Sequence, residues 1–157
     1  MTELYFQRHR RLRANAAMRA LVKETYLHKE DLIYPIFVAE GENIRNEVSS
    51  MPGVFQLSLD NLGAEIDEVV GLGIKAVILF GLPAEKDAVG SGAYHGHGII
   101  QKATRFVKER APQLLVVADT CLCEYTDHGH CGVVEGEEIL NDPSLNLLAQ
   151  TAISQAE

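Results

Sequence analysis

The sequence predicts an α/β domain, with a parallel sheet covered by helices. Two observations carry this: three short, nearly continuous apolar runs of strand length, and amphipathic stretches of helical period that alternate with them from Asp31 onward. The composition agrees. A chain of 157 residues that is 46% hydrophobic and 23% charged, with a mean hydropathy of -0.01, is ordinary for one globular domain. A chain of this length buries roughly 70% of its unfolded surface, enough for a real core.

The first strand is Leu32-Ile33-Tyr34-Pro35-Ile36-Phe37-Val38, in which Pro35 argues against a central antiparallel position. Met51-Pro52-Gly53-Val54 reads as turn or strand-end punctuation. Leu59, Leu62, Ile66, Val69 and Val70, spaced by three and four, make one helical face, with Asp60 as the expected cap and Gly71 and Gly73 as the expected stops. The second strand runs from Lys75 to Leu82, and a loop of small and polar residues extends from Pro83 to Gly98. Ile99, Ile100, Ala103, Phe106 and Val107 mark the second helix, which ends near Pro112. Leu114 to Ala118 is the third strand. After a loop rich in Cys and His, Asp142-Pro143 is the expected cap and first turn of a third helix, with Leu145, Leu148, Ala152 and Ala156 as its stripe. That helix runs to Glu157 without a stop signal, and three β/α units make a thin sheet, so the chain reads as the front part of something longer.

Charge divides the chain. Residues 1–30 carry seven Arg or Lys against three Asp or Glu, whereas residues 31–157 carry seven against nineteen, within an overall net of -8. This predicts a basic arm, 1–30, on an acidic body. Arg8-His9-Arg10-Arg11-Leu12-Arg13 can be a solvated tail, a nucleic-acid patch, or an arm that clasps an acidic partner such as a neighbouring subunit. The acidic body would repel phosphate, and five Tyr, five Phe and no Trp leave little for base stacking, so the expectation is no nucleic acid. No apolar run approaches the roughly 18 residues that span a bilayer, and no apolar stretch comes after the arginines to make a signal peptide. The expectation is a cytoplasmic protein that does not meet a membrane.

The strongest chemical signal is Asp119-Thr120-Cys121-Leu122-Cys123-Glu124-Tyr125-Thr126-Asp127-His128-Gly129-His130-Cys131-Gly132, which holds all three cysteines of the chain. It starts at the carboxyl end of the third strand, where α/β folds place their active sites. Two cysteines one residue apart point oppositely on an extended segment, so the loop must curl to bring them together. If it does, three thiolates suit a soft divalent ion such as zinc. The fourth position would then fall to water, substrate, His128 or His130, and an open position marks a catalytic rather than a structural site. Inert buried cysteines and a redox thiol are the competing readings, and the odd count disfavours a disulfide. A second segment, Gly90-Ser91-Gly92-Ala93-Tyr94-His95-Gly96-His97-Gly98, superficially resembles a phosphate loop, but it lies too far beyond Leu82 for a tight strand-to-helix turn. A mobile loop with solvated histidines is the simpler reading.

These residues resemble one family. Asp119 to Gly132, with Arg10-Arg11-Leu12-Arg13, Pro35-Ile36-Phe37-Val38, Met51-Pro52-Gly53-Val54, Val77 to Gly81 and Gly90 to Tyr94, looks like porphobilinogen synthase (δ-aminolevulinic acid dehydratase) over the whole chain. Cys121, Cys123 and Cys131 match the metal ligands of its zinc-dependent branch rather than the branch with aspartates there. The resemblance implies a (β/α)₈ TIM barrel, of which 31–157 would be the first three β/α units. It also implies an arm that wraps a neighbouring subunit in a homo-octamer. The implied reaction condenses two 5-aminolevulinate molecules into porphobilinogen, with loss of two waters, in tetrapyrrole and haem biosynthesis. Asp119 matches an active-site aspartate beside the zinc, with a proton-transfer or orienting role.

The departures from the family concern the later strands of its barrel. The family's two Schiff-base lysines belong to those strands, and none of Lys23, Lys29, Lys75, Lys86, Lys102 and Lys108 matches them. The substrate-binding arginines and glutamine, and the carboxylate of the family's allosteric Mg²⁺ site, are likewise unmatched. The expectation is a chain inactive by itself and prone to aggregate, the alternative being a non-catalytic zinc-binding or assembly module.

Overall fold

The structure is a computed structural model that describes residues 9–157, so Arg8 and the preceding part of the arm lie outside the described residues. From His9 to Asp31 no residue is buried. This stretch holds a single turn at Arg11–Arg13, a short helix α1 (Ala16–Leu21) and another turn at Lys29–Asp31. Asn15 starts α1 because its side-chain oxygen accepts a hydrogen bond from the Met18 amide at 2.9 Å. The arm touches the body where Lys29 Nζ donates to the Leu72 carbonyl at 2.8 Å.

The body is ordered β1 (Ile33–Ala39), β2 (Arg45–Glu47), β3 (Phe55–Leu57), α2 (Leu59–Gly71), β4 (Ala76–Leu82), α3 (Ile99–Arg110), β5 (Leu115–Ala118), β6 (Val133–Glu135), β7 (Glu138–Leu140) and α4 (Asn141–Ala156). β2-β3-β1-β4-β5 form one sheet in which only the β2–β3 pair is antiparallel, while β6 and β7 form a separate hairpin. The three expected β/α units are present, with two short hairpins that the apolar pattern did not announce. The sheet is open and does not close into a barrel. Pro35 is accommodated because β3 pairs only with Phe37 and Val38, which leaves the flank of β1 unpaired at Pro35 on that side.

One face of the sheet is covered by helices over its centre. Ile36, Val38, Val77 and Leu79 meet Leu62, Ile66 and Val69 of α2 and Ile99, Ile100, Ala103 and Val107 of α3, all nearly inaccessible to solvent. The apolar spacing that predicted α2 and α3 is the spacing of these contacts. Tyr34 adds a polar tie: its hydroxyl donates to Glu65 of α2 at 2.6 Å, and that carboxylate, together with burial, pushes the phenol up to about 12. The opposite face is different. Pro35, Ile78 and Val117 lie side by side in register, and Phe37 stacks on Phe80 with ring centroids 5.3 Å apart, yet all five are only half-buried.

Two helix boundaries and one helix face depart from expectation. Ser58, not Asp60, precedes α2. Its carbonyl accepts from the Asn61 and Leu62 amides, while its hydroxyl accepts from the Ile44 amide at 2.8 Å. Asp60 instead sits in the first turn and holds the Asn43 amide. α2 ends at Gly71, and Gly73 takes a left-handed φ of 83° just beyond it, as a helix stop requires. α4 begins at Asn141, with Leu140 rather than the expected Asp142 in the cap position. Its inward face is Ser144, Leu147, Leu148 and Thr151 rather than the stripe through Leu145, Ala152 and Ala156, which are exposed. The helix is apolar on most sides, so periodicity alone could not choose a face. Ser144 and Thr151 are buried by returning their hydroxyls to the carbonyls of Leu140 and Leu147, four residues earlier.

Candidate metal centre

The cysteine loop leaves the sheet at the tip of β5. The Asp119 amide extends the strand pairing by donating to Leu79 O at 3.2 Å. α4 clamps the same point, with Gln155 Nε2 donating to Asp119 O at 2.9 Å and Thr120 Oγ1 donating to Gln155 Oε1 at 3.1 Å. The required curl comes immediately after: the amides of Tyr125 and Thr126 both donate to Leu122 O at 2.9 Å, closing a turn around the fully buried Leu122 side chain. Thr126 Oγ1 then donates to His130 O at 2.8 Å, which brings Cys131 back across the start of the loop.

The three sulfurs gather around Cys121, with Cys131 outside the set whose ligand atoms all lie within 4.8 Å of one another. Cys121 Sγ lies 2.9 Å from Cys123 Sγ and 3.5 Å from Cys131 Sγ, and the Leu122 amide donates to Cys131 Sγ at 3.2 Å. Cys121 and Cys123 are half-buried and Cys131 is exposed at the rim. Burial, then the hydrogen bond that it donates to Cys123, holds the Cys121 thiol far above its ordinary range, and burial raises Cys123 too. Burial and the nearby Glu124 charge also raise the Asp119 carboxyl. Neither ion pair found among the described residues, Lys102–Glu40 or Arg110–Asp67, involves this loop. Three thiols and two carboxyls therefore crowd together without a compensating cation. A divalent ion would supply that charge and deprotonate the thiols outright, so the donor set fits a soft metal such as zinc.

The two candidate histidines are engaged elsewhere or stand apart. His128 Nδ1 accepts from the His130 amide at 3.1 Å, and its Nε2 meets Ala88 O at 3.2 Å. In their place stands Glu124, whose carboxylate accepts from Cys123 Sγ at 3.3 Å. Among the described residues, the one group whose ligand atoms all lie within 4.8 Å of one another is Cys121, Cys123 and Glu124. No pattern in the sequence singles out Glu124, since one carboxylate in an acidic chain has no distinguishing neighbour.

The loop from Pro83 to Gly98 supports this centre. Asp87 N donates to Tyr125 O at 3.2 Å and Asp127 N donates to Asp87 O at 3.1 Å, so the two loops run side by side. The Asp87 carboxylate gathers the Ser91 hydroxyl and the amides of Val89 and Ser91. The expected mobile loop is thus tied down. His95 and His97 are exposed, join no metal-capable group among the described residues, and line a cavity of about 550 Å³ with Glu40, Lys86, Asp87 and Lys102. α3 starts only at Ile99, well past the end of β4, so no tight phosphate turn forms.

Comparison with known proteins decides the family. Residues 6–157 match the family described as delta-aminolevulinic acid dehydratase. The chain belongs to this family. The delta-aminolevulinic acid dehydratase of Halalkalibacterium halodurans is 69% identical over 155 residues, which are 99% of this chain and 47% of that protein. That of Bacillus subtilis is 62% identical over 152 residues, with 97% and 47% covered. A crystal structure of delta-aminolevulinic acid dehydratase (porphobilinogen synthase) from Toxoplasma gondii, in complex with the reaction product porphobilinogen, superimposes with a TM-score of 0.89 at 36% identity, covering 98% of this chain and 44% of that one. The chain thus spans about half the length of the dehydratases it matches.

Proposed function

We propose that this chain forms the arm, the first three β/α units and the metal loop of a zinc-dependent δ-aminolevulinic acid dehydratase. Such an enzyme condenses two 5-aminolevulinate molecules to porphobilinogen with loss of two waters. The observation that carries the reading is the convergence of Cys121, Cys123 and Cys131 at a strand tip in a chain of this family. In this reading the half-covered face of Pro35, Phe37, Ile78, Phe80 and Val117 is the inner wall of a (β/α)₈ barrel, where side chains from other strands would fill it.

Cys121, Cys123 and Cys131 would hold the zinc, which when bound supplies Lewis acidity toward a substrate oxygen or nitrogen. Asp119, fixed by Leu79 and Gln155 at the strand tip, would hold or pass a proton beside it. The curl around Leu122 and Tyr125 keeps the sulfurs in place. A Schiff base needs a positioned amine of depressed pKa, which none of the six lysines here provides by family position, so the chain alone forms no porphobilinogen. In the whole enzyme we place the arm against a neighbouring subunit of a homo-octamer, any allosteric Mg²⁺ outside this segment, and the protein in the cytoplasm. No helix among the described residues is long and apolar enough to cross a membrane.

A chimera in which this chain replaces the matching segment of the Bacillus subtilis dehydratase tests the reading. It should convert 5-aminolevulinate to porphobilinogen, and Cys121→Ser should abolish the product, while the chain alone yields none. A folded chimera without activity, or an active isolated chain, would overturn it. The second reading, a non-catalytic assembly module, is favoured by the arm, where Leu21 and Leu27 are 79% and 75% exposed. Co-elution of the chain with an intact dehydratase on sizing chromatography, without a gain in activity, would support that alternative.

A further inference from the structure

We infer that Gln101 is a positioning residue for the metal loop: its buried side-chain amide joins the two segments that hold that loop. The residue lies in the first turn of α3, outside the loop itself, and is 2% exposed. Its Nε2 donates to Ala93 O and to Ser154 Oγ, both at 2.8 Å, so both N–H groups of the amide are used.

From Ala93 the tie runs through residues 83–98. The Ala93 amide donates to Gly90 O at 3.0 Å and the Gly90 amide to Asp87 O at 3.3 Å, and the Asp87 backbone pairs with Tyr125 and Asp127. From Ser154 the tie runs through the last turn of α4. Ser154 Oγ donates to Thr151 O at 3.0 Å, and the next residue, Gln155, holds Asp119 O and Thr120 Oγ1. One amide thereby reaches both the entrance of the metal loop, at Asp119 and Thr120, and its middle, from Tyr125 to Asp127.

Packing alone does not account for a glutamine at this position. Its Oε1 is buried, yet it accepts no hydrogen bond among the described residues. It faces Gly98, where an added Cβ would lie 2.5 Å from it. An unpaired buried acceptor costs free energy, and an apolar side chain of similar volume would avoid that cost. What the amide alone supplies is a pair of donors that sets two segments at a fixed separation.

The effect expected at the metal rests on the three-sulfur reading above, whereas the tie itself does not. Amide hydrogen exchange of the reduced, metal-free chain therefore reads the tie first. Gln101→Met keeps the side-chain length and removes both donors. It should leave the unfolding midpoint unchanged or higher, while protection is lost at the Asp119 and Leu122 amides and at those of Asp87 and Asp127. Ser154→Ala cuts one branch, so Asp119 and Leu122 should lose protection while Asp87 and Asp127 keep it. Ser154→Thr, which retains the hydroxyl, should restore the parent pattern, and Gln150→Met on the exposed side of α4 should change nothing. With metal added, Gln101→Met should lower zinc affinity roughly tenfold and shift the Co²⁺ ligand-field bands. Unchanged protection in both Gln101→Met and Ser154→Ala would overturn the proposal. So would a loss spread evenly over the chain with a falling midpoint, which marks an ordinary core contact, or loosened loops that bind zinc as the parent does. A parent without sulfur-to-cobalt charge transfer would remove the three-sulfur reading, and the exchange pattern would still decide the tie.

Discussion

Gly81 shows how closely the metal loop is packed onto the sheet. A Cβ added there would overlap the Tyr125 hydroxyl and come 2.7 Å from Ile100 Cγ1, so the absence of a side chain on β4 is what lets the loop's tyrosine lie across the strand. Gly81→Ala should therefore cost about 1–3 kcal/mol, measured by denaturant unfolding. Because the overlap is with the hydroxyl, Tyr125→Phe should relieve part of that cost, and the double-mutant cycle should give a favourable coupling. Additive effects would mean that Tyr125 is not what Gly81 accommodates. At this scale the sequence is legible where chemistry is concentrated, as in three cysteines within one short loop. It is silent where a residue matters only through a neighbour distant in sequence. Gly81 with Tyr125, Asp87 with Thr126, and Gln155 with Asp119 are such pairs.

Among the elements, those read correctly are the ones whose apolar face is unambiguous. In α2, Leu62, Ile66 and Val69 are buried at helical spacing and the remaining sides are largely polar, so pattern and packing coincide. In α4 apolar residues surround the axis, and the face is chosen by tertiary contacts with hydroxyl-bearing Ser144 and Thr151 inside. The missed hairpins have a different cause. β2 is Arg45-Asn46-Glu47, all exposed, and its place comes from backbone pairing with β3 and from Ser58 capturing Ile44, neither of which leaves an alternating pattern. These two helices give contrasting expectations. Ile66→Ala should destabilise the chain by about 2–5 kcal/mol by opening a cavity in the core. Ile153→Asn on α4, at a side chain 60% exposed, should stay within about 0.5 kcal/mol. Unfolding midpoints of the two variants check this, and an equal loss at Ile153 would mean that this side of α4 is packed against the body rather than facing solvent.

For the whole molecule, the decisive feature is an asymmetry between the two faces of the sheet. One is sealed by α2 and α3, and the other leaves Pro35, Phe37, Ile78, Phe80 and Val117 half-open. Parallel strands this apolar are stable when both faces are covered, so the isolated chain carries a solvent-facing surface suited to a core. β5 compounds this, because among the described residues it pairs only with β4 and its other edge has no strand beside it, with Leu115 62% exposed at its start. An unpaired edge beside an apolar face is a template for association with further strands. The chain should therefore bind an apolar dye, scatter light increasingly as its concentration rises, and lose reversibility on heating. Val117→Lys, on the open face of β5, should reduce the scattering more than Ile153→Lys, because the first interrupts both edge and face and the second only decorates a helix. A sharp, concentration-independent and reversible thermal transition of the unaltered chain would show that the open face is tolerated. The half-covered sheet would then lose its force as an argument for a barrel.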